Sequence, residues 1–375
     1  VTWERSLRIL VIAPLRFAIS PPHAGGLEAA VWSEAHALTR RGHEVTLAGV
    51  RGSDFTPPGS IFEVPTLDWP ADIDGTDSTY PPAYESRSVP ALARVLQWVA
   101  EHPGCFDVVS NHSLHPLPLV AAPGLGVPMV TTLHTPVDDG FVRAHAAARG
   151  AGSTFLSVSD HTRQSWALAG VPSDRLHNGV DPEVWTLGPG GDDLVWFGRI
   201  VPEKAPHLAV RAARLAGRSI TFAGRIGDRR YAESTFFPLL GPDATYVGSL
   251  RPTELADLVG RSAAALATPA WAEPFGLVAP EALLCGTPVI GFAVGGVPEI
   301  AAQAAGMHLV PPGDVEAMAA HVDAVVSTTA RDPQARAWIR ERAAMRFSLE
   351  QRIDALEEIL LSVAFGDLHA TGRIA

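Results

Sequence analysis

Cysteine is nearly absent from this chain: Cys105 and Cys285 are the only two in 375 residues. One lies in each half, so neither a disulfide framework nor a cysteine-based zinc site is expected, and a reducing compartment is the simplest setting. Positive charge is also short. Lys and Arg total 29 against 40 Asp and Glu, a net charge of −11. That is the wrong sign for a groove tracking a nucleic-acid backbone or for a broad patch on anionic lipid. It still permits a local basic pocket for one diphosphate. Long apolar runs are missing too. The most apolar stretch, residues 116–130, is broken by Pro116, Pro118, Pro123 and Pro128, so no membrane span is expected. The N-terminus shows no basic region followed by an apolar stretch and a small-residue cleavage site, and a soluble, cytoplasmic protein is the expectation. No G-x-G-x-x-G follows a strand-like run, which disfavours a nicotinamide-dependent oxidoreductase. Internal repeats and low-complexity tracts are absent.

What is present is 47% apolar and 18% charged, enough to build sizeable cores, and the length favours two domains. Short β-type runs alternate with helical patterns almost from end to end. Leu7–Ala13 reads as a buried strand, followed by a helix over Leu27–Arg41 with Leu27, Val31, Ala35 and Leu38 on one face. Gly42 ends that helix and His43–Ala48 returns as a strand. Phe106–Ser110, Met129–Leu133 and Thr154–Val158 continue the strands, with helices at Val89–Glu101 and Ser159–Ala169. Gly52–Pro90, rich in Pro, Asp, Ser and aromatics, reads as an irregular excursion with one strand at Ile61–Val64.

A second series starts near Asp193. Its strands are Leu194–Phe197, Ile220–Ala223, Ala263–Ala267, Val289–Phe292 and His308–Val310. Its helices are Lys204–Ala216, Thr253–Gly260, Leu277–Leu284, Val315–Ser327, Pro333–Arg346 and Leu349–Val363. Between the two series, Asp181–Asp192 contains Pro182, Gly188, Pro189, Gly190 and Gly191, the composition of a linker. Strand–helix alternation twice over predicts two doubly wound parallel sheets. Such sheets bind ligands beyond the carboxyl ends of their strands, so a site in a cleft between the domains is expected. The domains are set at 1–184, 185–348 and a C-terminal helix with tail at 349–375, the helix packing back towards the N-terminal domain.

The strongest chemical signal is Ala272–Ala282, AEPFGLVAPEA. Phe275, Gly276 and Leu277 sit where a helix should begin, and a helix start offers unpaired N–H groups to a phosphate or sugar oxygens. Gly276 lets backbone approach a ligand. Glu281, one turn in, can accept from two neighbouring hydroxyls such as those of a ribose, and Glu273 can do the same for sugar hydroxyls. Alone, the two glutamates fit a solvated surface helix about equally well. The second signal is the run from Gly198 to Lys204, GRIVPEK, after a predicted strand. Arg199 and Lys204 would supply charge neutralisation for a diphosphate there. In isolation it too has a bland reading as a positive loop. Gly25 and Gly26 open the first helix, and His134 follows a strand; unsupported, each reads as structural.

Taken in order, these elements resemble the retaining GT-B glycosyltransferases of family four, the group 1 glycosyl transferases. That family includes sucrose-phosphate synthases and bacterial mannosyl- and glucosyltransferases. The matching set runs through nearly the whole chain. It comprises Gly25-Gly26, His134, Asn178-Gly179-Val180-Asp181, GRIVPEK, Ala223-Gly224, EPFGLVAPEAL, and Gly295-Gly296-Val297-Pro298-Glu299. The order is specific where single members are not. His177 departs from the proline common before Asn-Gly, and Arg225 from the small or polar residue usual after Ala-Gly.

The resemblance implies a fold of two Rossmann-like domains facing a central cleft. It implies transfer of a hexosyl or N-acetylhexosaminyl group from a nucleotide sugar, on family frequency a UDP-sugar, to a hydroxyl acceptor. Arg199 and Lys204 would bind the diphosphate with Gly26 approaching it. Glu273 and the backbone of Phe275, Gly276 and Leu277 would hold the sugar, with His134 beside its C6. Glu281 would bind the ribose, and Gly248-Ser249-Leu250 would meet the base. Gly25 and Gly198 complete the donor set. No cofactor and no essential metal are expected; Asp72-Ile73-Asp74 has metal-ligand spacing but lies in the irregular excursion, and Asp138-Asp139 starts a helix. The acceptor would be a small or oligosaccharide-like molecule selected by the N-terminal domain, including Gly52–Pro90, His112, His115 and Asp138–Arg143. For His112 and His115 alone the structural reading has the better odds. Competing functions are a nucleotide-sugar epimerase of the same architecture and a non-catalytic nucleotide-sugar-binding module.

Overall fold

In the first sheet, β1 (Arg8–Ile12), β2 (Glu44–Val50), β3 (Glu63–Val64), β4 (Val108–Asn111), β5 (Met129–Leu133), β6 (Thr154–Ser157) and β7 (Asp174–Arg175) run in the order β3-β2-β1-β4-β5-β6-β7. Every pairing is parallel, with Ile9 beside both Val45 and Val108. The coordinates are a computed structural model that describes residues 6–69 and 80–366. Asp72 and Asp74, and all of the tail after Phe365 except Gly366, lie outside the described residues.

The second sheet contains β8 (Leu194–Phe197), β9 (Ile220–Ala223), β10 (Ala244–Tyr246), β11 (Ala264–Ala267), β12 (Val289–Phe292) and β13 (Met307–Val310). They run in the order β10-β9-β8-β11-β12-β13, again parallel. The strands β1, β4, β5, β8 and β12 are buried nearly throughout, as strands covered on both faces must be, and this is why they read as continuous apolar runs. Each sheet reverses its winding once, between β1 and β4 and between β8 and β11, and a doubly wound sheet presents its ligand crevice at that reversal.

Two compact units follow. One takes in residues 6–69, Tyr80–His177 and residues 352–366; the other includes Asn178–Gln351. The crossing at His177 comes earlier than the break expected after Val184. Val180 already belongs to the second unit, bridging Ser348 and exchanging backbone bonds with Phe347 and Leu349 at 2.8 Å each. Trp185 is buried and stacks on Phe197.

Several elements differ from expectation. Residues 181–192 do not behave as a flexible linker. A Cβ on Gly188 would overlap the Gly260 backbone, and one on Gly190 or Gly191 would overlap the carbonyls of Ala330 or Arg261. These glycines permit close packing rather than flexibility. Arg336, almost wholly buried, donates to the carbonyls of Gly188 (3.0 Å), Gly260 (2.8 Å) and Cys285 (3.1 Å) and to Thr287 Oγ1 (2.9 Å). The helix expected from Lys204 begins only at Pro206, after a tight turn over Pro202–Lys204, because Ala205 takes a left-handed φ of 46°. The strand near Ile61 shrinks to Glu63–Val64. Two short edge strands, β7 and β10, and helices Leu117–Ala121 and Val297–Gln303 carry too few residues for periodicity to mark them. Asp138 does start a helix, accepting a bond from Phe141 N at 3.0 Å.

Candidate functional site

The second sheet assembles its site from the loops that follow β8, β9, β10, β11 and β12 at the strand carboxyl ends. After β8 comes Gly198, with φ of 146°, and the next loop crosses it so closely that a Cβ on Gly224 would overlap the Gly198 carbonyl. Gly224 N donates to Gly248 O at 2.8 Å, which brings the loop before Leu250 alongside. Arg199 follows, half-buried, and then the turn that carries Lys204. Buried Thr268, just past β11, donates to the carbonyls of Lys204 and Ala205 at 3.0 and 3.1 Å, and itself accepts from Trp196 Nε1 at 3.0 Å. Ala270 N adds a bond to Glu203 O at 2.8 Å. Neighbouring loops thereby hold the strained left-handed turn in place.

This turn aims the Lys204 ammonium at Glu273. The two side chains form a direct ion pair. Trp271 Nε1 donates to the same carboxylate oxygen at 2.9 Å, and the ammonium lies 5.5 Å from the Trp271 ring centroid. The backbone of Glu273 is gripped in turn: Gly296 N donates to its carbonyl at 2.8 Å, and a Cβ on Gly295 would overlap it. The Gly295-Gly296 pair therefore holds the acidic loop at close range. Gly276 has φ of 94° with Val297 and Glu273 packed around it, and buried Phe275 points its ring at Phe347, leaving only its backbone to a ligand.

Glu281 lies on helix Val278–Leu284, half-buried, and its carboxylate makes no hydrogen bond or ion pair among the described residues. Desolvation pushes its carboxyl up to about 8. An acceptor group so disposed gains most from hydroxyl donors brought by a ligand.

In the first unit, Gly25 and Gly26 begin helix Gly26–Arg40, and His134 follows β5. His134 Nε2 lies 2.9 Å from His112 Nδ1. His112, expected to be structural, is buried and bonds Glu34 Oε1 at 3.0 Å, and Arg352 bonds the other Glu34 oxygen at 2.8 Å. Burial alone would raise the Glu34 carboxyl, but the Arg352 charge and the hydrogen bonds from His112 and Arg352 outweigh it and hold it well below the ordinary carboxylate range. Burial keeps His134 well below the ordinary imidazole value. His115 Nδ1 accepts a hydrogen bond from Leu117 N at 3.1 Å. Glu34 and Arg352 were missed by motif reading, yet a signal existed. Glu34 falls between Val31, Ala35 and Leu38 on the buried face of its helix, and Arg352 between Leu349, Ile353 and Leu356 on its own. A charge inside an apolar stripe marks a buried partner.

Among the described residues, no group of three or more His, Cys, Asp or Glu is placed to hold a metal ion. No described helix is long and apolar enough to cross a membrane.

Residues 24–184 match the model described as Glycosyltransferase Family 4, and residues 181–344 match Glycosyl transferases group 1. The D-inositol 3-phosphate glycosyltransferase of Mycobacterium tuberculosis is 30% identical over 383 residues, 89% of this chain and 78% of that protein. This chain belongs to glycosyltransferase family 4. The Mycolicibacterium smegmatis enzyme of the same name is 29% identical to this glycosyltransferase, covering 94% of it and 90% of the relative. Among solved structures, sucrose-phosphate synthase from Thermosynechococcus elongatus superposes with a TM-score of 0.74 at 18% identity, covering 95% of this chain and 98% of that one. Anabaena HepE in complex with UDP and glucose gives 0.71 at 18% identity, covering 95% and 100%. The fold of this glycosyltransferase is GT-B: two parallel-sheet α/β domains of Rossmann-like winding.

Proposed function

We propose that this glycosyltransferase moves a hexosyl or N-acetylhexosaminyl group from a UDP-sugar to a hydroxyl acceptor, with retention at the anomeric carbon and without a metal. The observation that carries the reading is the Lys204–Glu273 pair beside Trp271 at the carboxyl edge of the second sheet. A cation and a carboxylate held together suit the join between a diphosphate and a sugar, one matching phosphate oxygens and the other hydroxyls. Arg199 adds the second positive charge, and Glu281 takes the ribose. Gly198, Leu250 and the Phe275–Leu277 backbone line the donor, and Gly25, Gly26 and His134 are assigned to it on the family resemblance. The complex of HepE with UDP-glucose supports uridine as the base to test first.

In the reaction, the acceptor oxygen bonds to the anomeric carbon as the bond from that carbon to the diphosphate oxygen breaks. The electron pair leaves with UDP, and a phosphate oxygen takes the acceptor's proton. Arg199 and Lys204 stabilise the charge that grows on the leaving group, and orientation supplies much of the rest. Replacing either cation by Ala should lower kcat at saturating donor by about 100-fold. Wild-type turnover in both variants would refute their assignment.

The deciding experiment incubates the protein with UDP-sugars and an acceptor panel that begins with inositol phosphate, the substrate class in the names of its relatives. A new glycosidic bond of retained configuration, formed in excess chelator, is expected. Donor isomerisation without acceptor would show an epimerase, and donor binding with no turnover across the panel would show a binding module. Loss of activity in chelator with recovery on adding a divalent ion would overturn metal independence.

A further inference from the structure

A row of polar groups in the first unit, buried as far as His112 and ending at half-buried His134, is used by the donor reading only at that last member. The row starts with Arg352, whose Nε and Nη2 donate to Glu34 Oε2 at 3.2 and 2.8 Å, while Nη1 donates to the carbonyls of Leu176 and His177 at 3.2 and 2.9 Å. The other carboxylate oxygen, Glu34 Oε1, lies 3.0 Å from His112 Nε2, with Ser110 Oγ 3.3 Å away. Ser110 Oγ is also 3.0 Å from His112 Nε2. His112 Nδ1 then lies 2.9 Å from His134 Nε2. The last nitrogen, His134 Nδ1, has no hydrogen-bond partner among the described residues.

The protons on this row follow by elimination. Glu34, bonded to a guanidinium, is an acceptor only, so His112 Nε2 carries a proton. Ser110 turns its hydroxyl hydrogen to Glu34. A second proton on His112 would leave two cations sharing one carboxylate in a site closed to water, an uncompensated buried charge. Neutral His112 therefore presents a lone pair at Nδ1, and His134 must donate to it from Nε2. A neutral His134 protonated on Nε2 has its lone pair on Nδ1.

We infer that Glu34 and His112, anchored by Arg352, are positioning residues that lock His134 in the Nε2-protonated tautomer, so that Nδ1 offers a lone pair to a hydroxyl of the transferred sugar. The tautomer follows from the hydrogen-bond geometry together with the charge balance of the row; what Nδ1 meets rests on the donor reading above. The groups that set it come from three separate elements: Glu34 from helix Gly26–Arg40, Ser110 and His112 from β4 and its exit, and Arg352 from the C-terminal helix.

The test is nitrogen-resolved NMR of the His134 ring, assigned by its loss in His134→Gln. In the wild-type protein near neutral pH, Nδ1 should give an unprotonated and Nε2 a protonated signal; a protonated Nδ1 overturns the proposal. His112→Asn places an amide oxygen where the Nδ1 lone pair was, and should keep the tautomer and most of kcat. His112→Leu and Glu34→Gln should both mix the two tautomers and lower kcat about tenfold, with donor KM little changed. An unaltered tautomer in His112→Leu also overturns the lock, and correct folding of each variant is read from the same spectra. If the wild-type tautomer is as stated but His134→Gln turns over donor normally, the sugar contact falls and the lock remains.

Discussion

At Glu281 the proposed ribose contact and the stability of the free protein oppose each other. Its carboxyl is pushed up to about 8 in the folded protein and returns to the ordinary carboxylate value when unfolded. The folded state thus holds a proton that the unfolded state has released, so stability falls as pH rises from about 4.5 towards about 8. Glu281→Gln should remove that loss and stabilise the free protein at neutral pH by roughly 1 kcal/mol, discounted because the group is only half-buried. A ribose donates its hydroxyls to the ionised form. UDP-glucose should therefore bind more tightly as pH rises from about 6 to about 8, whereas the Gln variant should bind weakly with a flat profile. Calorimetric titration across that range checks it; a flat wild-type profile would remove Glu281 from the ribose. Glu34 behaves oppositely. Its carboxyl is held low, so its contribution is present above the ordinary carboxylate range and is lost only as pH falls through the depressed value.

At the scale of elements, the segment before β8 and the loops after β8, β9, β11 and β12 matter because backbone meets backbone. Gly188, Gly224 and Gly295 each occupy a place where a single added carbon would overlap a neighbouring main chain. Gly188→Ala, remote from the donor residues, should lower stability by about 2–4 kcal/mol, seen as a fall in denaturant midpoint, while the donor affinity of the remaining folded protein is unchanged. Gly224→Ala should instead cost donor affinity, because its displacement falls on Gly198 and the loop before Leu250. Equal effects of the two variants on affinity would contradict this division. Sequence pattern identified most elements here and misjudged what some of them do. The glycines of residues 181–192 carry a linker's composition but serve packing, since composition does not reveal which backbone lies opposite. The turn at Lys204 was hidden for a related reason. Pro206 can begin a helix as readily as Pro202, and only Thr268 and Ala270, more than sixty residues away, decide between them.

At the scale of the molecule, the C-terminal helix completes a unit whose other parts lie at the opposite end of the chain. Arg352 pairs with Glu34, and Glu357 bonds both His43 at 3.0 Å and Arg41 at 2.7 Å. Ile353, Leu356 and Leu360 are buried beside them. Ending the chain after Ser348 should therefore weaken the first unit, not the second to which Ser348 belongs. Hydrogen exchange should rise over helix Gly26–Arg40 and β2, and stay near its original level in β8–β12. Arg352→Met, which keeps the helix and removes the charge, should cost about 3–5 kcal/mol because it leaves Glu34 buried without its cation. Increased exchange confined to the second unit would disprove the assignment of this helix.

Local sequence by itself determined the doubly wound parallel architecture, because strands buried on both faces and amphipathic helices leave their periods in the chain. It offered Lys204, Glu273, Glu281 and the paired glycines as candidates only through the ordered set of motifs that resembles the family, not through any one of them. Only the tertiary structure decided that Lys204 pairs with Glu273, that Gly188 packs on Gly260, and that Arg352, Glu34 and His112 converge on His134. Those relations join residues tens to hundreds of positions apart, and a burial period describes one element's exposure without naming the partner across from it.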